Sequence, residues 1–532
     1  MWTLNWRDQA WSQLDQPWDI IIIGGGITGA GILYEAASRG LKTLLVEQHD
    51  FASGTSSRSS KLVHGGFRYL KNGQVRLTME SVRERERLLR EARGLVTPLG
   101  FLLANFKGDA IPAWVFNAGL VAYDLLALQW GHRHYDAYDV HDLCPPLRQE
   151  GLAGGFRYFD AQTDDARLVL RVVQEGVSAG GLALNYTRAA GLLRGRDGQV
   201  CGVTLRDLAP DGAGRSAEVQ ASTVINAAGA WADELRSDLG AAPRLRRLRG
   251  SHLVLPASRL PLSRAVSLLH PRDGRPVFAF PWEGVALVGT TDVDMEGPLP
   301  ADPCSSAAEV EYLMQALQYA FPAQALDYAD IQSTYAGVRP VLNTGKADPS
   351  KESREHILWN ENGLLTVTGG KLTTYRLMAQ QALGAIDHRM RNGRQAANDT
   401  QFARTSPLDP AELPAAVSPA LRLRLAGRHG AETAALLAAA RPTELEPAAN
   451  TPVLWAELRW AARAEAVVHL DDLLLRRARL GLLLPRGGLD CLEAIRQVVQ
   501  PELGWSDERW GIEARGYADL WKRCYHCPPQ NS

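Results

Sequence analysis

Near the N-terminus the clearest pattern is a continuous apolar run, Asp19-Ile-Ile-Ile-Ile23, that ends in glycines. A run of that length closed by glycine predicts a parallel strand buried on both faces. Helical spacing follows from about Thr28 to Arg39, with Gly40 in the C-terminal cap position, and Leu41 to Glu47 predicts a second strand. A β-α-β unit within about 30 residues opens a doubly wound nucleotide-binding sheet.

Further along the pattern changes character. Leu77 to Arg93 is strongly charged, with Val82, Leu88 and Leu89 at helical spacing, and predicts a partly solvated helix leaving the nucleotide unit, its charges forming a solvated face. Alternation over Ala183–Leu193 and Val200–Leu205, with a turn at Asp197-Gly198, predicts a hairpin before a strand from Thr223 to Ala227. Val277–Phe280 and Val285–Gly289 predict another strand pair, followed by a helix from about Ser306 to Tyr319. Pro407, Pro410, Pro414 and Pro419 then mark a boundary, and the Ala-, Leu- and Arg-rich remainder from about 405 reads as a separate helical domain.

Composition narrows the class. With 532 residues, 45% of them hydrophobic, the chain can bury more than one core. Lys plus Arg (58) nearly balance Asp plus Glu (59), so no global field argues for nucleic acid, and charge selectivity must be local. The cysteines at 144, 201, 304, 491, 524 and 527 form no disulfide framework and fit a reducing cytosol; Cys524-Tyr-His-Cys527 reads as a free tail. Met1 to Trp18 lacks the pattern of a secretory signal. The longest apolar stretch, Ile111–Trp130, is interrupted by Asn117 and Asp124, which disfavours a spanning helix and leaves monotopic attachment open. His132 and His134 have no further ligand in view, so no metal is expected.

The chemistry centres on Gly24-x-Gly26-x-x-Gly29. Gly24 permits the tight turn, Gly26 lets backbone approach a pyrophosphate, and Gly29 lets the helix pack against the strand. Glu47, 18 residues after Gly29, can accept hydrogen bonds from adenosine ribose hydroxyls. This much leaves FAD and NAD both open. Strand ends at Val224-Ile-Asn-Ala-Ala-Gly229 and Leu364-Leu-Thr-Val-Thr-Gly-Gly-Lys371 favour FAD, because their small residues and amides suit close approach to a flavin.

Several further segments occur in order: Thr55-Ser-Ser-Arg-Ser-Ser-Lys-Leu-Val-His-Gly-Gly-Phe-Arg-Tyr-Leu70, Asp164-Asp-Ala-Arg-Leu-Val-Leu170, Gly250-Ser-His252, Gly289-Thr-Thr-Asp292, Tyr335-Ala-Gly-Val-Arg-Pro340 and Gly369-Gly-Lys-Leu-Thr-Thr-Tyr-Arg376. Together with the glycine loop they resemble FAD-dependent glycerol-3-phosphate dehydrogenase, within the glycine/D-amino-acid oxidase type of flavoprotein. The likeness runs from about residue 18 to 380 and continues more weakly through Val468-His-Leu-Asp-Asp-Leu-Leu474 and Arg479-Leu-Gly481. It implies α/β plus α+β architecture: a discontinuous Rossmann-type FAD-binding domain (1–80, 155–235, 340–395), an inserted mixed-sheet substrate domain (81–154, 236–339) and a C-terminal all-α domain (405–532).

Expected FAD contacts are Gly24, Gly26, Ile27, Thr28 and Gly29 in the loop and Glu47 at the ribose. The serine-rich segment adds Thr55, Ser56, Ser59, Ser60, Lys61, Leu62, His64, Gly65 and Gly66; the later strand ends add Ala228, Gly229, Gly369, Gly370, Lys371, Leu372 and Thr373. Oxidation of sn-glycerol 3-phosphate needs a phosphate anchor, a base for the hydroxyl proton and a C2–H aimed at flavin N5. Arg339, placed in a Gly-Val-Arg-Pro turn, is the leading anchor, with Arg68, Tyr69 and Arg354 beside it. His252 is favoured as base over His64, which precedes two glycines and can instead orient the cofactor; Lys371 can meet substrate oxygen or charge on the reduced flavin.

The resemblance favours a membrane quinone as electron acceptor over oxygen, and a peripheral position on the inner face of the cytoplasmic membrane. Arg244, Arg246, Arg247 and Arg249, with Trp2, Trp6, Trp11 and Trp18, are candidates for contact with anionic lipid; the plainer reading is a basic turn and a docked helix. Amino-acid and amine oxidases of the same fold are a rival that the paired arginines oppose. Dimerisation and membrane docking are both open uses for the helical domain.

Overall fold

In the computed structural model the described residues are 2–66, 75–109, 112–127, 131–212, 214–346, 352, 356–386 and 417–530. The apolar opening run forms the strand Trp18–Ile23, hydrogen-bonded in parallel to Thr43–Val46 on one side and Ser216–Asn226 on the other. Ile20, Ile21 and Ile22 are fully buried, as a strand with both faces covered requires. The sheet continues through Leu364–Thr368 at one end and Leu182–Leu184 at the other, both parallel. The expected hairpin starts later than predicted: Thr187–Arg194 pairs antiparallel with Val200–Asp207, which in turn pairs onto the early part of Ser216–Asn226, while Ala183 and Leu184 belong to the parallel edge strand. The helix Ile27–Ser38 covers one face, flanked by Asp165–Ser178 and Tyr375–Ile386; Ile32, Leu33, Val172 and Leu383 share one core.

A second, mixed sheet carries the expected pair Pro276–Trp282 and Val285–Gly289, with Phe280 opposite Leu287. The helix Ala307–Ala320 starts at Ser306, whose hydroxyl and Glu309 form a reciprocal capping box. Two local expectations need correction. Gly-Val-Arg-Pro is not a turn: it lies inside the strand Ser333–Leu342, antiparallel to Leu245–Pro256 with Leu248 opposite Arg339. Pro340 is tolerated because, among the described strands, this one pairs with Leu245–Pro256 alone. The four arginines from 244 to 249 form no basic turn either, since Leu245 onward is strand and each guanidinium meets a carboxylate: Glu361, Asp294, Glu234 and Glu309 respectively.

The helix Val75–Glu91 is partly solvated as expected, but its charges do not all form a solvated face. Glu84 and Arg85 are buried, Arg85 against Asp160 at 2.5 Å and Glu84 against Arg376 at 2.5 Å. At the N-terminus Trp2 and Trp18 are buried too, Trp2 against Phe51, so the plainer reading of a docked helix holds for Trp6–Ser12.

The C-terminal residues are helical, and their apolar faces belong to the same core as the second sheet: Leu474, Leu480 and Trp521 cluster with Phe101, Phe280 and Tyr335. A buried ionic seam ties them to the nucleotide-binding unit. Arg477 reaches Asp50 at 2.8 Å, Arg476 the same carboxylate at 2.5 Å, Arg167 holds Glu465 at 2.6 Å, and Arg428 and Arg479 converge on Asp164 at 3.0 and 2.9 Å. Cys524-Tyr-His-Cys527 is not a free tail. Cys524 is disulfide-bonded to Cys304, and the carbonyl of Tyr525 accepts the Thr334 amide at 2.7 Å.

Candidate active site

The first strand, the glycine loop and the two later strand ends converge on one cavity of about 500 Å³. Gly24 has φ of 117°, open only to glycine at low cost, and a Cβ at Gly29 would fall 1.9 Å from the Gly24 carbonyl oxygen. Gly24, Gly26, Ile27 and Thr28 line the cavity; Gly29 sits behind them. Ser56 Oγ accepts the Ile27 amide at 3.0 Å, which joins the serine-rich segment to the helix N-terminus where a pyrophosphate charge is favoured.

Glu47 also lines the cavity. Its two oxygens accept the amides of Gly25 (2.7 Å) and His49 (2.9 Å), and burial raises its pKa. Each carboxylate oxygen has capacity for a further donor such as a ribose hydroxyl. Thr55, Ala228, Gly229, Gly369, Gly370 and Lys371 complete much of the wall. The volume, the glycine-lined approach and the acidic group at the second strand end together fit FAD. Thr187 to Ala190, Trp231 and Leu235 line it as well, and the sequence reading missed them. The hairpin was visible; that its first strand borders the cavity depends on pairing across the sheet.

The rest of the serine-rich segment faces inward. Ser59 and Lys61 bind Asp165, Leu62 pairs with Gln162, and the Gly65 amide donates to Asp160 Oδ1 at 3.0 Å. None of Ser59, Ser60, Lys61, Leu62, His64, Gly65 or Gly66 lines the cavity, nor do Leu372 and Thr373, which form a tight turn behind Lys371. Burial depresses the Lys61 amine to about 8 despite Asp165 beside it.

Arg339 opens on the cavity and is held at its far side: Nη1 pairs with Asp292 Oδ1 at 3.3 Å and Nη2 donates to Thr290 Oγ1 at 3.1 Å. Lys371 Nζ donates to Ser81 Oγ at 3.0 Å. His252 lies one layer deeper, stacked on Tyr335 at 4.6 Å with Nε2 2.9 Å from Ser60 Oγ. Burial, then the neighbouring Arg339 and Lys61, hold its pKa well below the usual histidine value, so the imidazole is neutral. Gly289 leaves room for that ring, since a Cβ there would stand 2.2 Å from His252 Cδ2. Arg68, Tyr69 and Arg354 lie outside the described residues. Among the described residues no cluster suited to a metal ion occurs.

The family described as FAD dependent oxidoreductase matches residues 19–376, and that described as the C-terminal domain of alpha-glycerophosphate oxidase matches 375–510. The aerobic glycerol-3-phosphate dehydrogenase of Staphylococcus haemolyticus is 39% identical over 71% of this chain and 68% of its own length. The glycerol-3-phosphate dehydrogenase of Bacillus halodurans, solved with FAD, covers 100% of both chains at 28% identity and a TM-score of 0.79. The L-alpha-glycerophosphate oxidase of Mycoplasma pneumoniae, at 17% identity, 70% coverage of this chain and 95% of its own, shares the fold with a TM-score of 0.56. The chain therefore belongs to the FAD-dependent oxidoreductase family, among its glycerol-3-phosphate dehydrogenases, and is an FAD enzyme.

Proposed function

We propose that the protein oxidises sn-glycerol 3-phosphate to dihydroxyacetone phosphate and passes the electrons to a membrane quinone. The observation that carries the substrate assignment is Arg339, a guanidinium facing the cavity that the dinucleotide loop opens on. FAD bound there supplies the hydride acceptor. Arg339 binds the phosphate oxygens through paired N–H bonds, and Asp292 and Thr290 fix the plane of its guanidinium. Lys371, on the cavity wall, meets substrate oxygen. His252, kept neutral by burial, retains a lone pair and takes the hydroxyl proton as the C2–H bond breaks. Arg68, Tyr69 and Arg354 are assigned to the same substrate from the sequence.

Membrane contact is supported by the helix Ala113–Ala127, which leaves Trp114 72% and Leu125 63% exposed on a largely apolar surface. Among the described residues no helix is long and apolar enough to cross a membrane. Incubation of the holoenzyme with sn-glycerol 3-phosphate and a soluble quinone tests the reading. Dihydroxyacetone phosphate should form mole for mole with quinol, faster than with oxygen alone; equal or greater rates with oxygen would make the protein an oxidase, and no product would overturn the assignment.

A further inference from the structure

A chain of buried contacts runs from the C-terminal helices to the imidazole assigned as proton acceptor. Arg479 is 2% exposed and immediately precedes the short helix Leu480–Leu483. Its Nε donates to Asp164 Oδ1 at 2.9 Å, its Nη1 to the carbonyls of Leu475 (2.7 Å) and Ser57 (3.2 Å), and its Nη2 to Asp165 Oδ1. Asp165 in turn accepts the Ser59 amide at 2.9 Å and the Ser59 hydroxyl at 2.7 Å, and it holds the Lys61 ammonium at 2.9 Å. The Tyr335 hydroxyl donates to the Ser59 carbonyl at 2.9 Å. The residues on both sides of Ser60 are thus fixed, and the Ser60 hydroxyl meets His252 Nε2 at 2.9 Å.

A buried ion cluster of this kind is weak evidence of a purely stabilising role, since well-packed apolar side chains often replace one without loss. It has a chemical consequence at His252. A neutral imidazole carries one N–H and one lone pair, and the partner of one nitrogen decides which atom holds which. Nδ1 of His252 is buried with no hydrogen-bond partner among the described residues, so Ser60 is the contact that sets the tautomer and opposes a ring flip.

We propose that Ser60 and Arg479 are positioning residues for the oxidation: Arg479 fixes the segment Ser57–Lys61, and Ser60 fixes the ring and tautomer of His252. The inference rests on His252 as proton acceptor. Arg339 and Lys61 are the cations nearest that ring and Tyr335 the titratable group stacked on it; none is altered in the test.

The measurement is anaerobic flavin reduction by sn-glycerol 3-phosphate across pH, with FAD affinity followed by flavin fluorescence. In Ser60→Ala, FAD and substrate affinities should stay within about twofold while reduction slows about tenfold and the inflection of its pH profile moves. Ser60→Thr should restore both. Arg479→Lys, which keeps a buried cation, should shift the same inflection, and the double variant should be no slower than the slower single variant, because both act at one ring. An unmoved profile in Ser60→Ala, or losses that multiply, would overturn the inference. Slow reduction in His252→Asn with normal Ser60→Ala removes this inference alone, whereas normal reduction in His252→Asn removes the proton-acceptor reading beneath it.

Discussion

At the scale of single residues, two groups near each other have opposite tasks. Arg339 must remain a cation, and Asp292 at 3.3 Å favours that state while the side chain lines the cavity. Its truncation removes charge-assisted hydrogen bonds worth about 2 kcal/mol, about 30-fold in affinity. Arg339→Ala should therefore weaken binding of sn-glycerol 3-phosphate by that order while FAD affinity, read by flavin fluorescence, changes little; intact substrate affinity would remove Arg339 from the phosphate site. His252 must remain neutral. Because its pKa lies well below 6.5, the acid limb of the pH profile for flavin reduction should fall below 6.5, with the plateau held above it. A limb centred at or above 6.5 would contradict this environment. Arg339 was legible in the sequence because its motif is local; its strand was misread as a turn because Gly-Val-Arg-Pro has turn composition, and only the one-sided pairing of Ser333–Leu342 shows why proline is admitted.

At the scale of elements, the strand, glycine loop and helix at the N-terminus were readable because their constraints are short-range: periodicity, φ above zero at Gly24, and contact between Gly29 and Gly24. Gly29→Ala places a methyl 1.9 Å from the Gly24 carbonyl oxygen, so loop and helix must part. The variant should purify with little bound flavin absorbance while its far-ultraviolet circular dichroism stays near that of the parent; a full complement of FAD would show that the close packing is dispensable. The charged helix Val75–Glu91 illustrates the opposite case. Its partners Asp160 and Arg376 are far away in sequence, so nothing local marked Glu84 and Arg85 as buried. The exposed helix Ala113–Ala127 has its own test: liposome flotation should weaken in Trp114→Ser/Leu125→Ser without loss of soluble-quinone activity, and unchanged flotation would assign membrane contact elsewhere.

At the scale of the whole molecule, the helices after residue 417 are bound to the nucleotide-binding unit by charge and to the second sheet by apolar packing. None of this seam was legible, because Arg476, Arg477 and Arg479 meet Asp50, Asp164 and Asp165, residues more than 300 positions earlier. Removal of one partner leaves a buried charge, so Arg477→Ala should cost about 3 kcal/mol or more, seen as a lower urea midpoint. Burial raises the Asp50 pKa, but Arg477 and Arg476 outweigh it and hold the pKa at about 2, against 3.8 for a free carboxyl. That depressed value contributes stability fully above pH 3.8, lost as pH falls through 2. The stability gap between parent and Arg477→Ala should therefore narrow on acidification; a gap constant from neutral pH to pH 2 would mean that Asp50 is not the partner that matters.

The most direct test of the whole account is anaerobic bleaching of the enzyme-bound flavin. sn-Glycerol 3-phosphate should bleach the oxidised flavin band completely, while glycerol, lactate and D-amino acids leave it intact. Bleaching by amino acids alone would place the protein with the amino-acid oxidases of the same fold and contradict the assignment of Arg339 and His252.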